Sequence, residues 1–243
     1  MGGLRKYMPI TYLTSVIGTL ALVGTPFLSG YFSKDAIIAS VQMSTEGGSW
    51  VHTYAYWAVL LGVFVTAFYS FRLLYMTFHG KERFREAHAD GHGHDDHAHD
   101  DHGHGHHGPV EPHESPWVVW VPLVLLAIPS IAIGALTVMP MLFGDFFAGA
   151  IQVMAGNDAL ARAGQYLTSG HEGWSGVWHY GMHFVTAPPF WLAFAGFAAA
   201  TWIYLFKPEI AEKARKAFAL PVRVLENKYG FDALWIDGFA KGG

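Results

Sequence analysis

The sequence predicts an all-α membrane protein with about four transmembrane helices, the first of them discontinuous. Three observations carry that reading. Hydrophobic residues make up 52% of the 243 and charged residues only 14%, with a positive mean hydropathy, which is membrane-protein composition. The apolar residues gather into four blocks, at about 9–43, 53–78, 117–143 and 187–206, and about 20 apolar residues suffice to cross a hydrocarbon core of about 30 Å. The first block is interrupted by Gly24, Thr25 and Pro26, then by Gly30, and then carries the adjacent ions Lys34 and Asp35.

That first block, 9–43, reads as two half-helices. Proline removes a backbone donor and clashes with the preceding turn. Broken backbone at membrane depth persists only where protein or a water-filled cavity covers it. An ionisable group at that depth costs roughly 3 kcal/mol on insertion scales and is a functional hypothesis by default. Lys34 and Asp35 are therefore the candidate chemical pair, with Gly24, Thr25, Pro26 and Gly30 setting the break. The competing reading is that Lys34 snorkels to the headgroups and Asp35 is plain surface charge.

The second block, 53–78, carries one cation, Arg72, either an ion-path support or a snorkelling side chain. The third, 117–143, contains Pro122, Pro129 and Pro140, which spanning helices tolerate as kinks. The fourth, 187–206, is rich in small residues around Ala193, Gly196 and Ala198, and small residues admit a close neighbour. Four crossings divide the connections into two sets. One set, 1–8, 79–116 and 207–243, holds 12 Lys and Arg, whereas the other, 44–52 and 144–186, holds only Arg162. By the positive-inside rule both chain ends are expected on the cytoplasmic side.

The connections differ in character. Segment 79–116 reads as a flexible cytoplasmic loop rich in His and Asp, among them His92, His94, His97, His99, His102 and His104. Such a tract binds metal adventitiously, because nothing around it fixes a ligand set. The outside loop 144–186 reads as an interfacial helix with Phe147, Ile151 and Met154 on one face. In the same loop His179 and His183 stand four apart, a spacing that suits a metal but with no third ligand, so interface packing is expected. In 207–243, Pro208 suits a first helical position, Ile210, Ala214, Ala217 and Phe218 make an apolar stripe, and Pro221 is expected to stop the helix. The remainder to 243 reads as the start of an amphipathic lateral helix. The chain has no cysteine, which excludes disulfides, iron–sulfur clusters and thiolate zinc sites. A net charge of −4 offers nothing to nucleic acid.

The motifs Met1-Gly2-Gly3-Leu4-Arg5-Lys6, Gly30-Tyr31-Phe32-Ser33-Lys34-Asp35, Ser70-Phe71-Arg72-Leu73, Phe78-His79-Gly80-Lys81 and Tyr229-Gly230-Phe231-Asp232 resemble the distal antiporter-like subunit of proton-pumping NADH:quinone oxidoreductase, respiratory complex I. The resemblance runs over the chain apart from the His-rich loop and much of 144–186. It implies the C-terminal part of such a subunit. On that reading 1–78 is the end of the second antiporter-like repeat, 117–206 holds two further helices, and a lateral helix begins near 229–243. It implies that Lys34 matches the repeat's central lysine and that the chain is one piece of a longer protein. It further implies proton translocation without a redox cofactor in this chain, FMN and iron–sulfur clusters residing in partner subunits. The expected neighbours are other membrane-arm subunits, above all the adjacent antiporter-like one, and the lipid bilayer. The expected location is a bacterial cytoplasmic (inner) membrane, with the mitochondrial inner membrane second. Two other functions stay open: the large subunit of a multisubunit sodium/proton antiporter, and a metal-binding membrane protein built on the His-rich loop.

Overall fold

The structure is a computed structural model that describes residues 2–45, 49–82, 111–233 and 235–236. Among these the secondary structure is entirely helical. The His-rich tract, with its candidate metal residues, falls almost wholly outside the described residues, as does most of the stretch expected to begin the lateral helix. The chain forms two compact units, residues 1–200 and 201–243.

The first unit is built on a severed rod. Helix α1, Pro9–Val23, and helix α2, Ser29–Thr45, are about 22 and 25 Å long at ~1.5 Å per residue. The break therefore lies near the middle of their joint length. Helix α1 starts with Pro9 at its first position, where a missing donor costs nothing. Its end is a Schellman turn. The Gly24 amide donates to the Ala21 carbonyl and the Thr25 amide to the Leu20 carbonyl, at 3.2 and 3.0 Å, and Gly24 takes a left-handed φ of 87°, which a side chain would resist. Pro26 follows and forbids the helix from resuming. The rod thus breaks where the glycine and proline require it.

Helix α3, Trp50–Phe78, packs beside both halves of the rod, and α4, Trp117–Thr137, prolonged by a π-turn to Leu142, packs against both as well. Pro122 and Pro129 are accommodated inside α4. The segments Trp50–Phe78, Trp117–Leu142 and Pro188–Phe206 are each long and apolar enough to cross a membrane, and Pro9–Val23 is a shorter apolar helix. Leu125, Leu126 and Ile128 point outward at 59–66% exposure. An apolar face of that kind requires lipid or a neighbouring protein.

Segment 143–187 departs from the expectation. No helix forms over 147–154: a short turn, Asp145–Phe147, gives way to irregular chain, and Ile151 and Met154 are exposed. Helix begins only at α5, Ala159–Thr168, where Asp158 Oδ1 accepts the Ala161 amide at 2.8 Å. That capping bond supplies the start signal that the Phe147 stripe lacked. Helix α6, Gly173–Met182, and a turn, His183–Val185, follow, then α7, Pro188–Thr201. Helix α5 packs extensively along α2. The segment is a cover for the second half-helix rather than a loop beside it.

In the second unit α8 spans Pro208–Ala217 and α9 spans Ala219–Glu226. The expectation that Pro221 stops the helix is overturned. The chain bends one turn earlier, at Phe218 (φ −102°, ψ 36°), and Pro221 stands in the first turn of α9, where its lacking N–H goes unmissed. Arg215 and Glu226 pair at 2.6 Å, and Lys228 pairs with Asp232.

Glu114 ties the approach to α4 onto the start of α1. Its Oε2 accepts from the Ile10 amide at 2.7 Å and its Oε1 from Thr11 Oγ1 at 2.6 Å, so a carboxylate faces a helix N-terminus. Burial pushes its carboxyl up, but the bonds from Thr11, Ile10 and Ser115 outweigh that and hold it below the ordinary 4.5. A depressed carboxyl stabilises the fold above its ordinary pKa, and the contribution fades as the pH falls below it. Glu114→Gln should cost about 0.3–1 kcal/mol at neutral pH and flatten the acid side of the unfolding profile. Gly30 is needed for a different reason: a methyl there would lie 1.8 Å from the Ala21 carbonyl oxygen, whereas Gly18 faces open space. Gly30→Ala should destabilise by about 1–3 kcal/mol. Gly18→Ala should stay within about 0.5 kcal/mol, both read by thermal unfolding of the purified protein.

Candidate functional site

The candidate residues converge on the break. Lys34 lies in the second turn of α2, half-buried. Its Nζ donates to the carbonyl of Val23, the last residue of α1, at 3.4 Å. The C-terminal end of a helix carries partial negative charge and unpaired carbonyls, so α1 offers its cation-seeking end to Lys34. The side chain also crosses the Gly24 turn, 3.5 Å from where a Cβ would stand. Lys34 reaches back to the break and not along the helix.

Asp35 is 6% exposed. Lys34, Asp35 and Tyr31 line one cavity with Val23, Gly24 and Val63. Its volume of about 20 Å³ is room for roughly one water. A second, mostly apolar hollow of about 210 Å³ opens beside it, lined by Thr25, Pro26, Phe71 and Phe190 among others. Arg72 is exposed on α3 and lines neither cavity.

Residues from the covering segment complete the site; of these the sequence singled out only His183, and for its spacing from His179 rather than for Asp35. Tyr180, fully buried, donates its hydroxyl to the Phe32 carbonyl, and Tyr31 donates to the Tyr180 carbonyl at 3.0 Å. The two tyrosines clasp α6 to α2 in both directions. Phe27, in the break, holds a left-handed φ of 67°, a conformation that costs an L-residue about 1–2 kcal/mol. Its ring packs on Trp178 at 5.5 Å and fills the place of a side chain on Gly181. His183 brings Nδ1 to 3.9 Å from Asp35 Oδ2. His179 does not join it: that ring stacks on His171 at 3.9 Å. Among the described residues no group of three metal-ligating side chains forms. The signal that marks Tyr180 and His183 is their place opposite α2, which only the tertiary fold supplies.

The chain's opening motif also finds a partner. The Gly3 amide donates to the His79 carbonyl at 3.3 Å, and Tyr7 donates to Glu82 at 3.3 Å. Burial, followed by the Arg5 charge, holds the His79 imidazole below its usual range against a backbone hydrogen bond. Two of the sequence motifs thus form one contact at the far end of α3.

Chemically, the arrangement is an amine on a helix C-terminus, a buried carboxyl beside it, and space for water between them. Such a set can hold a proton and pass it on. Residues 1–76 match the family model described as NADH:quinone oxidoreductase/Mrp antiporter, TM. The chain is 47% identical over its whole length to NADH-quinone oxidoreductase subunit L of Neisseria meningitidis serogroup A, of which it covers 34%. It is 49% identical over 81 residues to NADH-ubiquinone oxidoreductase chain 5 of Chondrus crispus, covering 32% of this chain and 12% of that one. Chain 5 of Dictyostelium discoideum is 40% identical over 149 residues, 61% of this chain and 18% of that one. The chain therefore spans about a third of the length of the subunit L relative. That match extends through the His-rich loop and 144–186, beyond the bounds the motifs suggested. The expectation that the chain is the C-terminal part of such a subunit is not supported by these matches and is set aside.

Tyr180→Phe removes one buried hydroxyl bond while the Phe32 carbonyl keeps its helical environment. It should lower stability by about 1 kcal/mol, as read by thermal unfolding.

Proposed function

We propose that this chain belongs with the antiporter-like membrane subunits of NADH:quinone oxidoreductase, being similar to subunit L and chain 5, and that it carries one section of a proton path through the membrane arm of that enzyme. The observation that carries the proposal is Lys34 Nζ on the Val23 carbonyl, at the end of a severed helix. The charge state of an amine depends on whether water or hydrocarbon surrounds it. As an ammonium, Lys34 is held by the terminal carbonyl of α1. When hydration at the break changes, it gives a proton to water in the adjoining cavity or to Asp35, which lines the same space. Gly24, Thr25 and Pro26 keep the carbonyl end open, and Gly30 lets α2 pass close enough for Lys34 to reach it.

The chain supplies no redox chemistry in this account. Electrons move through FMN and iron–sulfur clusters in partner subunits, and the adjacent antiporter-like subunit and the lipid meet the exposed apolar faces of α3 and α4. The membrane is a bacterial cytoplasmic membrane, with the Lys- and Arg-rich connections, which include both ends of the sequence, on its cytoplasmic side. The family description also names the Mrp antiporter. A sodium/proton exchange role therefore makes a distinct forecast: sodium-gradient-driven exchange without NADH oxidation.

The test places Lys34→Ala in the full-length subunit within the assembled enzyme, in inverted vesicles. Quinone reduction should continue while protons translocated per electron fall. Normal translocation in that variant would overturn the proposal. Full recovery by Lys34→Arg would show that a fixed charge suffices and that no proton leaves the side chain.

A further inference from the structure

We propose that His183 is the proton acceptor next after Asp35, carrying protons out of the break through the covering segment; this rests on the proton-path reading of Lys34 and Asp35. Nδ1 of His183 and Oδ2 of Asp35 face each other at 3.9 Å. Both atoms are buried and neither has a hydrogen-bond partner. Leaving such an atom unsatisfied costs about 1–3 kcal/mol, so two orphans aimed at one another mark a place for a shared proton or a bridging water. The gap exceeds a direct bond, for which about 3.2 Å is the limit, and a small rotation of either side chain closes it.

The surroundings give the transfer a direction. The Asp35 side chain is 8% exposed and that of His183 16%, so the pair steps outward from the interior. His183 opens the short turn His183–Val185 between α6 and α7, and the edge of its ring is steadied against Tyr166 at 4.9 Å. The protonated Asp35 carboxyl gives its proton from Oδ2 to Nδ1, which leaves a carboxylate and an imidazolium. The imidazolium releases the Nε2 proton to water and becomes neutral, and exchange through water restores the starting tautomer. The carboxylate takes its next proton from the Lys34 ammonium. Charge balances at each step without an oxidant. Imidazole suits the task because its two nitrogens accept on one side and release on the other.

The experiment compares Asp35→Asn, His183→Gln and the double variant in the assembled enzyme, with Lys34→Ala alongside. Protons per electron are measured in inverted vesicles, and NADH-driven quinone reduction checks assembly. We expect His183→Gln to lose translocation to the level of Asp35→Asn, with no further loss in the double variant, because both lie on one path. The infrared carboxyl band that disappears in Asp35→Asn should shift in His183→Gln. Normal translocation in His183→Gln, losses that add, or an unmoved band would overturn the proposal. His183→Asn serves if the Gln variant does not assemble, and failure of both to assemble would assign His183 a structural role and overturn it likewise. If Lys34→Ala is defective while the His183 variants pump normally, only this inference falls. If Lys34→Ala itself pumps normally, the reading beneath it falls.

Discussion

An interrupted helix inside hydrocarbon leaves carbonyls that water would ordinarily satisfy, and the rest of this structure follows from how they are met. At the end of α1 the Leu20 and Ala21 carbonyls accept from the Schellman turn, and the Val23 carbonyl accepts from Lys34. The lysine is therefore part of what makes the break tolerable. In the proposed proton path, the same contact supplies the titratable amine. Structure and chemistry share a single interaction, and neither half-helix could supply it alone.

A break held by one turn and one amine would still be exposed, and the segment between α4 and α7 closes it. Helix α5 lies along α2, and the reciprocal bonds of Tyr31 and Tyr180 fasten α6 to the first turns of α2. Phe27 is kept in its left-handed conformation by packing against Trp178 and Gly181. Backbone strain at one residue is sustained by contacts that over-determine it. The cover also excludes bulk water from Asp35 while leaving the small cavity beside Lys34, so hydration at the site can vary by single molecules.

The parts legible in the sequence are those governed by local chemistry. Gly24 and Pro26 dictate a helix end whatever surrounds them, and the four apolar blocks declare their own lengths. Lys34 beside that end was legible as a candidate for the same reason. The contacts of Tyr180 and His183 were not, because they depend on which distant segment lies over α2: the four-residue spacing of His179 and His183 suggested a shared face, whereas the fold stacks His179 on His171 and sets His183 beside Asp35. The expected helix through Phe147 failed for want of a cap, which Asp158 provides further on. Pro221 was misplaced because proline ends one helix and begins another equally well, and only the bend at Phe218 decides which.

The account stands or falls on whether the Lys34 nitrogen changes its proton content during turnover. Nitrogen magnetic resonance of lysine-labelled enzyme in membranes reads that directly, with the Lys34 signal identified by its loss in Lys34→Arg. The account predicts that this resonance moves between ammonium and neutral-amine positions when NADH oxidation begins. A signal fixed at the ammonium position in both the resting and the working enzyme would contradict it.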